Sequence, residues 1–222
     1  MNVIITGSTG MVGKGVLLEC LEDIRVKKVL VLNRNPIDIQ HTKLTEVLVK
    51  DFNDFESIKE QLNNYDACFF CLGISSVGMK EKDFAEITVN ITVNLAKVLF
   101  EINPEMVFNY VSGTGTDSTE KGRIMWARVK GKTENIILNM GFKDAYAFRP
   151  GLILPERGIK SRTKLYRAVY IIMRPIFPLL RKMKTITTTS RVGKAMINSV
   201  LYPQNLKHLE NKDINKLTNV KQ

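Results

Sequence analysis

The sequence is poor in the residues that build metal sites and disulfide frameworks, with 3 cysteines and 2 histidines among its 222 residues. Cys68 and Cys71 form a C-x-x-C pair, but residues three apart on a β-strand point to opposite faces and cannot hold one metal ion. We therefore interpret both as small core residues. The low cysteine content and the lack of a secretory leader indicate a reducing compartment, and we expect a cytoplasmic protein.

Apolar runs long enough to span a membrane are also missing. The stretch 165–180 is the candidate for a membrane span. Two arginines and two prolines interrupt it, and it is shorter than the about 20 apolar residues that a span requires. Those residues are Arg167, Arg174, Pro175 and Pro178. One interpretation of 160–185 is a basic amphipathic segment that lies on a membrane surface. We favour the other, a helix that covers a substrate pocket, with the prolines shaping its end.

Acidic residues are scarce in the second half of the chain. Residues 121–184 contain 16 Lys/Arg and 3 Asp/Glu, which gives this part a net charge of 16 − 3 = +13. The net charge of the whole chain is +11, so the positive excess belongs to this part. Such a field would attract an anionic cofactor or substrate, an acidic membrane surface or a nucleic acid, and it is equally typical of a solvated basic face. We expect no nucleic-acid partner, because the aromatic and basic residues are not interleaved as in a stacking platform.

The N-terminus contains a strand, a glycine-rich turn and an amphipathic helix. Gly7 permits a sharp turn after the strand. Gly10 lets the backbone approach a diphosphate, and Gly13 lets the helix lie close to the sheet. The helix N-terminus supplies unpaired amides and the positive end of its dipole. This context predicts a dinucleotide-binding turn made of Thr6, Gly7, Ser8, Thr9, Gly10, Met11, Val12 and Gly13.

Beyond this turn, apolar strand patterns alternate with helical ones. This alternation predicts one α/β domain, residues 1–222, with a doubly wound parallel Rossmann sheet in the order 3-2-1-4-5-6. We expect 152–189 to form a small, helical, substrate-covering region, and the polar tail from Pro203 to pack loosely. The predicted strands are 2–6, 28–32, 44–49, 65–72, 106–111 and 144–148, and the predicted helices are 11–22, 54–62, 81–102, 122–140 and 191–201.

The remaining candidate residues follow the carboxyl ends of these strands, where ligands of such sheets bind. Asn33 and Arg34 follow the second strand, and no carboxylate stands there to bind a ribose 2′-hydroxyl. Arg34 therefore favours NADP(H) over NAD(H), although a surface loop arginine is the simpler alternative. Asp51 could reach the adenine amino group or begin the next helix. The other cofactor-binding candidates are Phe52, Cys71, Leu72, Gly73, Pro150, Gly151 and Leu152.

These motifs resemble the short-chain dehydrogenase/reductase family in its extended or atypical, epimerase-like form. The V-K-G-x-x-E run at 129–134 is similar to the atypical branch that includes Tat-interacting-protein-like oxidoreductases. The resemblance covers residues 1–202. Besides that run, it is carried by the glycine motif Thr6 to Gly13, by Cys71-Leu72-Gly73, by Tyr110-Val111-Ser112 and by Phe148-Arg149-Pro150-Gly151.

The resemblance implies roles for three residues. Ser112 would hold the substrate carbonyl or hydroxyl, and Lys130 would bind the nicotinamide ribose. The family's tyrosine acid/base stands four residues before the lysine, where this chain has Trp126. An indole does not usefully ionise, but it can stack on a ring or donate one hydrogen bond.

Two hypotheses follow from this substitution. The first is an NADP(H)-binding oxidoreductase, a monomer or homodimer, that acts on a small organic or sugar-nucleotide-type substrate. The second is a non-catalytic NADP(H)-binding sensor or regulatory protein that acts through a partner.

Overall fold

Seven parallel strands form the central sheet of the protein, and from one edge to the other they are the third, second, first, fourth, fifth, sixth and ninth strands of the chain. The computed structural model describes residues 1–160, 170, 172 and 174–220. Continuous apolar runs form the inner strands because both faces of the sheet are covered. The strands are β1 (Asn2–Thr6), β2 (Lys28–Asn33), β3 (Leu44–Leu48), β4 (Ala67–Phe70), β5 (Val107–Val111), β6 (Asp144–Arg149), β7 (Ile153–Leu154), β8 (Thr187–Thr188) and β9 (His208–Glu210).

The helices begin and end close to their predicted bounds, with two differences. The segment predicted as a helix at 54–62 is a 3₁₀ helix, Glu56–Leu62, and the long helix predicted at 81–102 contains a π-helical stretch, Glu86–Asn90. A second 3₁₀ turn spans Arg174–Ile176. The α-helices are α1 (Met11–Glu22), α2 (Glu81–Ala85), α3 (Ile91–Ile102), α4 (Met125–Leu138), α5 (Phe177–Leu180), α6 (Thr189–Leu201) and α7 (Asn211–Thr218).

Two apolar cores cover the two faces of the sheet. The first joins α1, α6 and α7 to the strands, and the second joins α3 and the 3₁₀ helix to the other face. Cys68 belongs to the second core, whereas Cys71 packs against the first, so the two thiols lie on opposite faces as predicted. Within the described ranges, no group of His, Cys, Asp and Glu side chains is arranged to hold a metal ion.

The expectation of a loosely packed tail after Pro203 is wrong. β9 extends the sheet beyond β6, with Ala147 beside His208 and Arg149 beside Glu210. In α7, Ile214 and Leu217 are buried in the first core. The sequence gives little sign of this strand because β9 has only three residues, a single one of them apolar.

A small second sheet precedes α6, where β7 pairs in parallel with β8. The Thr188 hydroxyl accepts a hydrogen bond from the Arg191 amide at 3.2 Å and thereby caps the N-terminus of α6. The helix expected within 165–180 lies partly outside the described residues. Among the described helices, none is both long and apolar enough to cross a membrane.

Candidate dinucleotide and substrate site

The glycine turn between β1 and α1 is built so tightly that side chains do not fit. Gly7 has a φ of +69°, and a Cβ on it would lie 2.7 Å from the Cys71 carbonyl carbon. A Cβ on Gly13 would lie 2.2 Å from the Gly7 carbonyl oxygen. The Gly10 amide closes the turn by donating to the same oxygen at 2.9 Å. The first turn of α1 therefore lies directly against the end of β1.

The N-terminus of α1 fits a diphosphate. The Gly10 carbonyl accepts the first helical hydrogen bond, from Lys14 at 2.9 Å, so the amides of Met11, Val12 and Gly13 have no partner within the helix. The cap has no side-chain hydrogen bond, and the first turn contains no acidic residue. Free amides and an unopposed helix dipole are what an anion requires. Thr9 lies in the same turn.

A polar chain fixes the loop after β2. The Ser8 hydroxyl donates to Asn33 Oδ1 at 2.8 Å, and Asn33 Nδ2 donates to Glu46 Oε1 at 2.8 Å. The Ile37 amide also donates to the Glu46 carboxylate, at 3.2 Å. A carboxylate thus does reach this loop, from β3 rather than from the end of β2. The Glu46 carboxylate is already bound by two donors inside the loop, Asn33 Nδ2 and the Ile37 amide. Arg34 lies on the outer side of the same loop.

Arg34 lies at the surface beside the buried ring of Phe52, with its guanidinium carbon 5.4 Å from the ring centroid. Asp51 is exposed, and its Oδ1 accepts the Asn53 amide at 2.9 Å. The turn into the 3₁₀ helix is instead bound by Asp54, which accepts the Ser57 amide at 3.2 Å. The structure therefore brings Arg34 and Phe52 together and leaves the Asp51 side chain in a local turn.

The connection after β4 passes beside the glycine turn. The Leu72 amide donates to Thr6 Oγ1 at 3.3 Å, and the Cys71 carbonyl faces Gly7. Burial raises the pKa of the Cys71 thiol well above its usual range. A Cβ on Gly73 would meet nothing within 4 Å, so open space lies over this residue at the carboxyl edge of the sheet.

Lys130 and Trp126 lie on one side of α4, as their spacing of four requires. Lys130 Nζ donates to the Ser112 carbonyl oxygen, and burial lowers the pKa of this amine to about 8. Trp126 is partly buried, and its ring lies against Gly115, where a Cβ would be 3.5 Å from Cη2. The lysine and the indole therefore lie at the loop that follows β5.

The Ser112 hydroxyl points into the fold. It donates to the carboxylate of Glu134, a fully buried residue of α4. Arg149 binds the same carboxylate with two nitrogens, Nε at 3.0 Å and Nη2 at 2.5 Å. His208 Nε2 lies 3.5 Å from Glu134 Oε2, and burial together with the charge of Arg149 lowers the pKa of His208. This cluster joins α4 to β5, β6 and β9.

A second hydroxyl, on Thr114, lies at the surface two residues beyond Ser112. Thr114 Oγ1 is 3.0 Å from the Arg149 carbonyl oxygen and 2.7 Å from Glu210 Oε2. Next to it, the Gly151 amide donates to Asn211 Oδ1 at 3.1 Å, and the Asn211 amide nitrogen donates to the carbonyls of Leu152 and Thr185. The end of β9 and the start of α7 thereby fix the loop after Pro150.

Sequence reasoning missed three contributors to this edge, namely Glu46, Thr114 and Asn211. Glu46 had a usable signal, since a charged residue within a strand of a buried sheet needs a partner. Asn211 had none, because its place follows from β9. The structure brings together the candidates of the glycine turn with those after β2 and β4. It also brings Lys130 to Ser112.

The parallel sheet, the glycine turn and the bare N-terminus of α1 define an NAD(P)-binding Rossmann protein. Residues 3–122 match the NAD dependent epimerase/dehydratase family, and the chain belongs to this family.

Curated relatives extend the match beyond the first half of the chain. Protein FMP52-1, mitochondrial, of Scheffersomyces stipitis is 27% identical over 159 residues, which cover 71% of this chain and 69% of the relative. Protein HTATIP2 of Rattus norvegicus is 25% identical over 158 residues, which cover 70% of this chain and 64% of the relative. These similarities confirm the resemblance to atypical short-chain dehydrogenases/reductases.

Solved structures share the fold. The Candida albicans protein Gre2, in complex with NADPH, superposes with a TM-score of 0.70 at 14% identity, over 94% of this chain and 77% of that one. WbmF of Bordetella bronchiseptica, in complex with NAD⁺, gives a TM-score of 0.67 at 14% identity, over 98% of this chain and 77% of that one. One neighbour was solved with NADPH and the other with NAD⁺, and both similarities show that the fold is shared.

The expected cytoplasmic location is contradicted. The relatives from Scheffersomyces stipitis and Debaryomyces hansenii are named as mitochondrial proteins. The low cysteine content from which that location was inferred describes reducing conditions, which are not confined to the cytoplasm.

Proposed function

We propose that the protein is an NADP(H)-dependent oxidoreductase that acts on a small organic or sugar-nucleotide-type substrate, as a monomer or homodimer. The observation that carries this proposal is the glycine turn, where only hydrogen fits at Gly7 and Gly13 and the amides of α1 are free. A turn that served packing alone would have no need of an uncapped helix N-terminus at the carboxyl edge of the sheet.

In this proposal the dinucleotide lies along the carboxyl edge of the sheet. The free amides of α1 hold its diphosphate, and Asn33, Arg34, Asp51 and Phe52 face its adenosine half. The nicotinamide half lies near Lys130 and near the connections at Cys71, Leu72, Gly73, Pro150, Gly151 and Leu152. When bound, NADPH supplies the hydride.

The chain's own residues then orient the substrate. Ser112 is the hydroxyl proposed for this role. Because Ser112 donates its hydrogen bond to the buried Glu134, the exposed hydroxyl of Thr114 is the alternative for the same role. Residues 152–189 are proposed to cover the substrate, with β7 and β8 as the anchor of that region.

The preference for NADP(H) rests on Arg34. Its exposed guanidinium, beside Phe52, can pair with a 2′-phosphate that NADH lacks. We expect NADPH to quench the fluorescence of Trp126, the only tryptophan of the chain, at micromolar concentrations and NADH to do so far more weakly. In Arg34→Ala, NADPH affinity should fall about 10- to 100-fold, as expected for one lost charged hydrogen bond, with little change for NADH.

The matched control is Arg25→Ala, which removes an arginine that pairs with Asp23 just before β2, at the opposite edge of the sheet. It should leave both affinities unchanged. Equal affinities of the natural protein for NADPH and NADH would disprove the role of Arg34. Calorimetry would distinguish absent binding from absent quenching.

The second candidate function is an NADP(H)-binding sensor with little turnover, and Trp126 is the observation that favours it. If the missing phenol limits catalysis, Trp126→Tyr should gain reductase activity, because the Lys130 ammonium would lower the pKa of the new phenol. General acid catalysis is worth about 10²–10⁴-fold. The assay follows NADPH absorbance with a panel of aldehydes, ketones and quinones.

Trp126→Phe controls for ring size, since it has no hydroxyl to donate a proton. If the natural protein has no reductase activity and Trp126→Tyr is the variant that gains it, the natural protein is a binding protein and not an enzyme. If Trp126→Phe gains as much, proton transfer does not explain the change. Turnover by the natural protein that survives Ser112→Ala but not Thr114→Val would move the substrate-orienting role to Thr114.

A further inference from the structure

Tyr170 and the segment 174–184 contact the body of the protein through apolar side chains. Phe177 is buried and packs with Leu154 and Ile186. The ring of Tyr170 meets that of Phe177 edge-on, with centroids 6.3 Å apart. Asn215 further ties this segment down by donating to the Lys184 and Ile186 carbonyls at 3.0 and 2.9 Å. These contacts hold the segment in place, and the side chains on its outer side take no part in them.

Four large aliphatic side chains between Tyr170 and Lys184 face solvent, and we name them the outer stripe. Ile172 is 78% exposed, Ile176 49%, Leu179 68% and Met183 48%. Ile176 and Leu179 belong to the adjoining 3₁₀ turn and α5, and Ile172 and Met183 lie on either side of these two elements in the chain. Single exposed aliphatic residues are ordinary, but a grouped set of this kind marks an interaction surface.

The part of the chain that contains the outer stripe is rich in basic residues. Between Glu156 and Glu210 the sequence contains 12 Lys/Arg and no Asp or Glu. Arg181, Lys182 and Lys184 are exposed within or directly after the stripe. Of these, Arg181 has a carboxylate nearby, that of Glu156 at 3.4 Å.

We propose that the outer stripe docks this protein on an anionic phospholipid surface. The aliphatic side chains would enter the boundary between headgroups and acyl chains, and the neighbouring Lys/Arg side chains would meet the lipid phosphates. The described helices are too short or too polar to cross a bilayer, so the protein would lie on the surface.

Two features favour lipid over other occupants. A second copy of the chain in a two-fold arrangement would set the same positive groups against each other. The stripe also lacks the aromatic anchors that dominate protein–protein interfaces. An acidic bilayer satisfies both the aliphatic side chains and the surrounding charge.

The test is flotation of the full chain with large unilamellar vesicles. We expect binding to vesicles of phosphatidylcholine and phosphatidylglycerol in equal amounts, weaker binding as salt rises, and little binding to phosphatidylcholine alone. The double variant Ile176→Glu with Leu179→Glu should reduce the bound fraction about tenfold or more, because it replaces buried apolar contacts with charges that anionic lipid repels. Thermal unfolding should not change, since both positions are exposed.

The matched control is Ile24→Glu, which places the same charge at a side chain that is 92% exposed and lies just after α1. It should float like the natural protein. Failure of the natural protein to bind the acidic vesicles would overturn the proposal, as would equal losses in the control. A double variant that changes from dimer to monomer by light scattering, with lipid binding intact, would assign the stripe to a contact between copies of the chain instead.

Discussion

Gly13→Ala is expected to weaken NADPH binding by about 100-fold or more, equivalent to at least about 2.7 kcal/mol. The new methyl group would lie 2.2 Å from the Gly7 carbonyl oxygen, and this oxygen belongs to the backbone of the turn and cannot rotate away. The first turn of α1 must therefore move from the end of β1, which displaces the amides that are proposed to hold the diphosphate. Calorimetric titration with NADPH measures the loss.

Gly193→Ala separates this effect from general destabilisation. Its Cβ would meet the Glu19 side chain at 2.8 Å, between α6 and α1 and away from the turn. Both variants should lose about 1–3 kcal/mol of unfolding free energy through overpacking. Only Gly13→Ala should lose affinity at a temperature where both are folded. Normal NADPH affinity in Gly13→Ala would show that the turn does not bind a dinucleotide.

The second large effect is expected at Arg149. Arg149→Met would leave the Glu134 carboxylate buried without its cation, and breaking a buried ion pair in this way costs about 3–5 kcal/mol. In a chain of this size each kcal/mol corresponds to about 2–4 °C, so the midpoint of thermal unfolding should fall by roughly 6–20 °C. Urea unfolding gives the free energy directly.

Two controls identify the uncompensated charge as the cause. Arg128→Met breaks an ion pair with Glu81 at the surface and should change the free energy of unfolding far less than Arg149→Met does, because solvent screens the pair. Adding Glu134→Leu to Arg149→Met removes the stranded carboxylate and should restore part of the stability. If the double variant is no more stable than Arg149→Met, lost packing rather than charge explains the effect.

The main architecture of the protein could be predicted from local patterns. The strand at 28–32 is apolar and buried from Val29 to Leu32 because both of its faces are covered, and this pattern is typical of a buried parallel strand. The glycine turn could be predicted for the same kind of reason, since the positive φ of Gly7 and the approach of Gly13 to Gly7 both arise within eight consecutive residues. The opposite orientation of Cys68 and Cys71 followed from the two-residue period of a strand alone.

The polar contacts of the site could not be predicted in this way. Ser112 follows β5 where a substrate-facing hydroxyl was expected, but its direction depends on Glu134, which is 22 residues away in the chain. Glu46 reaches the loop after β2 because β2 and β3 pair with Val31 beside Glu46. In both cases the partner is set by the register of neighbouring elements, which a single sequence does not reveal.

The sequence by itself determined the sheet class, the strand order from β1 to β6 and the glycine-rich turn between β1 and α1. Each of these depends on short-range sterics or on the periodicity of apolar residues. Tertiary structure alone decided the addition of β9, the burial of Glu134 with Arg149, and the outward orientation of the stripe from Ile172 to Met183. These depend on which segments pack together, and the long-range contacts that decide this are not encoded in any single stretch of the chain.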